Sequence, residues 1–273
     1  MSGRTLVMGV VNVTPDSFSD GGRWLAPESA LAHAHRLLGD GADILDIGGE
    51  STRPGARRVD AATECDRILG IVRDLASEGH AVSVDTVNAV TAHAAIAAGA
   101  TMVNDVSGSL ADPDMGRVVA EAGVPYVVQH WRGTPETMAG LATYGDVVAE
   151  VIAELRQRLD ELFAVGVRPE QVILDPGLGF AKDAEHNWRI LAHLDRFEEL
   201  GFPLLVGASR KRFLAEVVPP ELAHLPTERD HATAAVTALL AHRRVWGVRV
   251  HDVRPSRDAV RVAEAWIGGV GDG

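Results

Sequence analysis

Polar side chains recur at matched places along this chain. Asn12, Asp46, Asp85, Asn104 with Asp105, His130, Asp175, Ser209, Arg249 and His251 each stand at or near the end of a short apolar run. Asp85, Asn104 and Asp175 set carboxylate and amide groups in an otherwise apolar wall. Such a set suits a flat heterocycle with several N–H donors, because a carboxylate accepts two parallel hydrogen bonds. Arg249 and His251 alternate with Val248 and Val250, which places both on one face of an extended segment. Two cations aimed together in an acidic chain point to an anionic ligand.

The run Ser209-Arg210-Lys211-Arg212 falls where a strand should meet a helix, and cations beside helix-start N–H groups form a natural anion site. The sequence has no H-E-x-x-H motif and no Cys/His cluster, which argues against zinc. Asn12 is a hard oxygen donor, and Mg²⁺ takes one or two protein ligands with phosphate and water, so a Mg²⁺ shared with a diphosphate fits. Each residue alone also has an ordinary reading. Asp85 before Thr86 could cap a helix or a turn, Asp46 could anchor a loop, and His130 could be packed in a core. The joint pattern is what singles out a site, since caps alone do not place polar groups at the same end of every apolar run.

The elements that must position these groups alternate regularly. The stretch from Met8 to Gly22 starts as a Val-rich strand, then breaks at Pro15 and Gly21-Gly22 into a polar loop. A helix is predicted from Pro27 to Gly39, a strand over 43–47, a helix over 61–78 and a strand from Ala81 to Thr86. An Ala-rich helix at 88–98, a strand from Met102 to Val106, a short helix at 114–122 and a strand from Tyr126 to His130 follow. A long loop from Trp131 to Tyr144 leads to a helix at 146–165, then a strand from Val172 to Asp175 and helical residues around 184–200. A strand from Leu204 to Ser209, a loop at 218–229, a helix at 230–243, a strand from Gly247 to Asp252 and a helix at 256–267 complete the pattern. Eight strands separated by eight helices imply parallel crossovers closing into an α/β (β/α)8 TIM barrel, whose ligands bind at the C-terminal ends of the strands. A doubly wound open sheet is disfavoured, because no G-x-G-x-x-G turn follows the first strand.

The bulk numbers agree. A length of 273 residues with 46% hydrophobic residues suits one domain spanning 1–273. The net charge of −12 argues against a nucleic-acid surface. Cys65, the one cysteine, excludes an internal disulfide and reads as a structural thiol in a helix. No apolar run reaches the ~18 residues of a membrane helix and no signal peptide is evident, so a cytoplasmic protein is expected. Residues 268–273 read as a frayed tail.

Several segments resemble the dihydropteroate synthase family of the folate pathway, the target of sulfonamides, and most closely its actinobacterial members. They are NVTPDSFSDGG at 12–22, DIGGESTRPGA at 46–56, SVDT at 83–86, NDVSG at 104–108, LDPGLGFAK at 174–182, GASRKRF at 207–213 and RVHDV at 249–253. They run in family order and span almost the whole chain.

The resemblance implies condensation of (7,8-dihydropterin-6-yl)methyl diphosphate with 4-aminobenzoate, giving 7,8-dihydropteroate and diphosphate, and a homodimeric enzyme. By motif position, Asp85, Asn104, Asp175 and Lys211 would hold the pterin. Arg249 would cover the ring and, with His251, hold the diphosphate; Asn12 would ligate Mg²⁺. Phe18, Thr52, Arg53, Pro54, Phe180 and Ser209 would form the aminobenzoate pocket. Gln129 departs from the family, which often has Met lining the pterin pocket there. No nucleophilic residue is needed, because a neutralised diphosphate already leaves well. Thr14 to Gly22 is expected to be a mobile lid that brings Asp16, Phe18 and Asp20 to the site on closing. Asp20 would then join Asp85, Asp175 and Lys211 in catalysis. Two alternatives share a pterin pocket: a methyltetrahydrofolate-using methyltransferase, which has no use for a diphosphate site, and a non-catalytic paralogue, which would lack intact loops.

Overall fold

The structure, a computed structural model, describes residues 3–14, 26–50, 58–134 and 137–269. Its strands are β1 (Leu6–Asn12), β2 (Ile44–Gly48), β3 (Val82–Asp85), β4 (Met102–Asp105), β5 (Tyr126–Gln129), β6 (Val172–Asp175), β7 (Leu205–Val206) and β8 (Gly247–Val250). All pair in parallel, in the order β6-β5-β4-β3-β2-β1-β8-β7. A parallel bridge between Leu174 and Leu204 brings the two ends together, with Leu174 N–H donating to the Pro203 carbonyl at 2.8 Å. The sheet thus closes into the expected (β/α)8 barrel, a shape that leaves no unpaired strand edge.

The helices are α1 (Ala26–Gly39), α2 (Ala61–Ser77), α3 (Ala89–Ala97), α4 (Met115–Ala122), α5 (Val147–Ala164), α6 (Ala184–Ala192), α7 (Leu194–Glu198), α8 (Asp230–His242) and α9 (Val253–Gly268). Carboxylates start several of them. Asp60 accepts from Thr63 N–H at 2.8 Å, and Asp146 from Val148 and Ala149 N–H, so orphan donors of the first turn are satisfied. Cys65, half-buried on α2, has its thiol 3.8 Å from the Thr91 hydroxyl and no disulfide partner, as a structural thiol should.

Strand alternation sorts the interior. Val7, Val11, Leu45, Ile47, Val82, Val84, Val103, Val128, Leu174, Val206, Val248 and Val250 pack outward against the helices. The alternate positions Met8, Ile44, Met102, Val127, Ile173 and Leu205 form a separate cluster inside the barrel, with Leu6 and Trp246 packed against it. Each such side chain contributes about 1.5–3 kcal/mol through burial. Two positions further along β2, β4, β5 and β6 the inward residues are Asp46, Asn104, Gln129 and Asp175, so an apolar plug forms the floor beneath a polar mouth.

Three expectations change. The helix predicted around 184–200 is two helices, because His193 at φ −121° and ψ 34° leaves the helical range between α6 and α7. The strand expected from Leu204 to Ser209 keeps ladder geometry only at Leu205–Val206, since the chain turns at Ser209 and Arg210, the latter at φ 58°. The expected tail begins later than 268, because α9 runs to Gly268; residues 270–273 lie outside the described residues. Among the described residues no helix is long and apolar enough to cross a membrane.

Candidate active site

Six inward residues from β2, β3, β4, β5, β6 and β8 meet at the mouth. Arg249 of β8 donates from Nε to Asp46 of β2 at 2.6 Å and from Nη2 to Asp85 of β3 at 2.7 Å. Asn104 of β4 donates from Nδ2 to the same Asp46 oxygen at 2.8 Å. The register places Asp46 beside Ser83, Asp85 beside Asn104, and Gln129 of β5 beside Asp175 of β6. Gln129 faces the same mouth and donates to the Val106 carbonyl at 3.2 Å. Asp46 Oδ1 and Ser83 Oγ are buried with no hydrogen-bond partner among the described residues, and buried polar atoms left open are where a ligand or water completes the bonding.

Burial pushes the Asp85 carboxyl up to about 7, against the pull of Arg249 and with a further push from Asp46. Burial likewise raises Asp175, opposed mainly by Lys211. Arg249 is held above its ordinary value; its burial opposes this, but Asp46 and Asp85 outweigh it. The mouth therefore has fewer settled negative charges than its carboxylates suggest, and an incoming N–H donor or cation would favour their ionised forms.

Lys211 reaches the same pocket from beyond β7. Its Nζ donates to the Leu178 carbonyl and lies 4.9 Å from the centre of the Phe180 ring. Burial lowers it to about 8, which Asp175 opposes and Arg249 reinforces. Gly207 opens the space between these groups. A Cβ placed on it would stand 3.8 Å from Lys211 Nζ and 3.9 Å from Asp175 Oδ2, so the absent side chain leaves room among them. Across the mouth, Ser209 Oγ accepts from His251 N–H at 3.1 Å and lies 3.0 Å from His251 Nδ1. Asn12 ends β1 half-exposed at this rim. Its amide oxygen makes no hydrogen bond among the described residues, which fits a position open to a hard cation.

The structure therefore brings together Asp85, Asn104, Asp175, Lys211, Arg249, Gln129 and Phe180, and puts Asn12, Ser209 and His251 at the rim. Phe18, Asp20, Thr52, Arg53 and Pro54, with Asp16 and the rest of the expected lid beyond Thr14, lie outside the described residues. His251 stands one residue beyond β8, so it reaches the mouth from the loop.

Other readings need correction. Asp105 does not join Asn104 at the mouth. One residue on, it faces the opposite side of β4, accepts from Tyr126 OH at 2.8 Å and from Ser107 N–H at 2.8 Å, and organises the following turn. His130 also turns away, towards Glu154 on α5 at 3.0 Å. The basic run does not start an α-helix, since Arg212–Val217 is a 3-10 turn, and its cations diverge. Arg210 pairs with Asp230 at 2.7 Å and Arg212 is exposed, leaving Lys211 for the pocket.

Asp46 is the residue that sequence reasoning undervalued. It is no loop anchor but the acceptor joining Arg249 to Asn104, and only the barrel's closure makes β8 its neighbour across β1. Glu64 and Lys182 went unnoticed. Glu64, fully buried on α2, accepts from Thr86 Oγ1 at 2.9 Å and Asn88 Nδ2 at 2.8 Å, holding the loop after Asp85. Its signal was a charge on the same helix face as Ile68, Ile71 and Leu75. No spacing in the sequence marks Lys182.

An eight-stranded parallel barrel with acceptors, amides and two cations converging on its C-terminal mouth defines a class: barrels that hold a polar heterocycle beside an anion. The chain matches the family described as pterin binding enzyme over residues 8–251, and it belongs to that family. It is 50% identical over 264 residues to the dihydropteroate synthase of Mycobacterium leprae, covering 96% of this chain and 93% of that one. It is 41% identical to the Bacillus subtilis dihydropteroate synthase over 99% of this chain and 92% of that one. The dihydropteroate synthase of Xanthomonas albilineans solved with 4-aminobenzoic acid superposes with a TM-score of 0.89 at 42% identity, over 97% of this chain and 93% of that one.

Proposed function

We propose that this chain is a transferase that condenses (7,8-dihydropterin-6-yl)methyl diphosphate with 4-aminobenzoate, releasing diphosphate and 7,8-dihydropteroate. The observation that carries the reading is the convergence of Asp85, Asn104 and Asp175 with Arg249 and Lys211 at one mouth. The first three offer the acceptors and amide that a pterin ring needs, Lys211 offers a donor for its carbonyl side, and Arg249 a cation for the diphosphate. The Mycobacterium leprae relative that shares half of the residues is a dihydropteroate synthase, and a Xanthomonas albilineans dihydropteroate synthase was solved with 7,8-dihydropteroate.

In this reading Asp85 and Asp175 accept pterin N–H bonds, Asn104 orients the ring, Lys211 donates to its carbonyl side and Gln129 closes the wall. Arg249 and His251 hold the diphosphate. Phe180 and Ser209 would line the aminobenzoate pocket, to which Phe18, Thr52, Arg53 and Pro54 would contribute, and Asp20 would take part in catalysis. Asn12 would hold Mg²⁺, which when bound would supply Lewis-acid neutralisation of the diphosphate charge. The pterin methylene–oxygen bond breaks with its electron pair leaving on diphosphate, the arylamine nitrogen bonds the methylene, and the nitrogen gives up a proton. The acidic wall favours the developing methylene cation, and holding both substrates contributes orientation. The enzyme would be a cytoplasmic homodimer. The exposed Leu239 of α8 and Val262 and Trp266 of α9 support an apolar contact face on packed helices. The coupled assay tests this: purified protein with Mg²⁺ should form dihydropteroate only with both substrates present. Product formation independent of 4-aminobenzoate would overturn it.

A further inference from the structure

Lys182 is buried yet takes no part in the pterin or diphosphate contacts described above. Its Nζ donates to the Gly177 carbonyl at 3.0 Å and the Phe180 carbonyl at 3.0 Å, and meets His130 Nδ1 at 2.8 Å. Burial and the nearby Lys211 push Lys182 well below its ordinary value, opposed by Asp175; held as an ammonium, its three protons are all satisfied by these three contacts. They also fix the tautomer of His130: Nδ1 must accept, leaving Nε2–H to donate to Glu154 Oε2 at 3.0 Å. Glu154 is held in turn by Arg132, whose Nε lies 3.0 Å away. Burial and the neighbouring Lys182 lower His130 to about 4, consistent with the neutral ring this bonding requires.

What the ammonium grips is the loop from Pro176 to Ala181. Turning the 177 and 180 carbonyls inward to Lys182 leaves the Leu178 carbonyl to accept from Lys211, and sets the Phe180 ring near Lys211. The loop bends through Gly177 at φ 69°, Gly179 at φ 77° and Ala181 at φ 47°. That backbone is unfavourable for alanine and persists only where surrounding bonds impose it.

We propose that Lys182, seated on neutral His130, is a positioning residue that sets the geometry of the Gly177–Phe180 loop and through it affinity for the arylamine substrate. The proposal rests on the reading that Phe180 lines the aminobenzoate pocket. Lys182 touches neither substrate; it decides where the ring that does so stands. Glu154 and Arg132 extend the support to α5 and the loop after β5. His130, which the strand-end pattern marked as a site residue, thus serves the site from behind its wall.

The test compares Lys182→Met, Lys182→Arg and Phe180→Ala in steady-state kinetics, with calorimetry of pterin binding and thermal unfolding on the same preparations. Lys182→Met keeps the stem and removes every donor. It should raise KM for 4-aminobenzoate about tenfold or more while pterin affinity stays within about threefold, since small misplacements near the reacting atoms are costly. Lys182→Arg should recover part of that loss by restoring a charged donor. If Lys182→Met does not fold, His130→Gln carries the test, and the same selective rise in KM is expected. Phe180→Ala raising KM while neither Lys182→Met nor His130→Gln does so would overturn the proposal and leave the pocket reading standing. An unchanged KM in Phe180→Ala would overturn the pocket reading and the proposal together. Equal losses for both substrates in Lys182→Met would also overturn it, as they would mark a merely structural lysine.

Discussion

Replacing Arg249 by Met tests the charge arithmetic of the mouth. The guanidinium lies 2.6 Å from Asp46 and 2.7 Å from Asp85, whose side chains are 0% and 5% exposed. Methionine keeps part of the stem and removes the charge between them. Deleting one partner of a buried ion pair costs about 3–5 kcal/mol, because the remaining charge is left uncompensated. Here two carboxylates are left, and the barrel can limit the loss by taking up a proton on Asp85. That carboxyl already stands at about 7 through burial and the adjacent Asp46, with Arg249 pulling it down. Without the guanidinium it must titrate higher.

A carboxyl whose folded pKa exceeds its unfolded value binds more protons when folded, so stability falls as pH rises between the two values. For Asp85 that interval runs from the unfolded value of about 4 up to about 7. A displacement of about three units corresponds to roughly 4 kcal/mol withheld from the folded state above pH 7. In Arg249→Met the interval extends further upward. Urea unfolding near pH 6 and near pH 8 should therefore show a variant deficit that is larger at the higher pH. A deficit equal at both, or a total loss below about 1 kcal/mol, would refute the claim that Arg249 neutralises both carboxylates.

Other outcomes follow from single contacts. Gly207→Ala should unfold within about 1 kcal/mol of the parent, because its Cβ meets Arg249, Lys211 and Asp175 only at ordinary contact distance; calorimetry should nevertheless show pterin binding sharply weakened, since the methyl fills the pocket. Gly177→Ala should lose about 3 kcal/mol or more in urea unfolding, as a side chain at φ 69° is strained and its Cβ collides with the His130 carbonyl. Lys211→Ala and Asp175→Ala should each abolish pterin binding, and unchanged calorimetric titrations would remove them from the site. Asn12→Ala should raise the Mg²⁺ concentration needed for half-maximal rate; an identical Mg²⁺ curve would exclude Asn12 as a ligand.

The barrel was legible because its signals are local. Most strands are short apolar runs and most helices have their own apolar period, so the alternation and the number of strands could be read without knowing any contact. Boundaries set by tertiary bonding were less visible. The break at His193 and the shortened β7 depend on how the chain turns against its neighbours, which no periodicity encodes.

The site divides the same way. Period-two alternation along β8 and the matched strand ends pointed to Asp85, Asn104, Asp175 and Arg249 as residues of one mouth, where the barrel places them. The same alternation turns Asp105 away from the mouth, as a one-residue step along a strand reverses the face. What residue order could not supply was the partner list. That Asp46 binds Arg249 and Asn104 follows from closing the sheet, which brings together residues 203 and 58 positions apart. That Lys182 is the buried support of its loop depends on β5 delivering the His130 ring 52 residues earlier in the chain. The sequence by itself determined the order of elements and the kinds of groups at their ends, because these rest on local periodicity. The tertiary structure alone decided which of those groups share a charge, which face helices instead, and which loop carbonyls Lys182 and Lys211 grip, because those depend on distance through space.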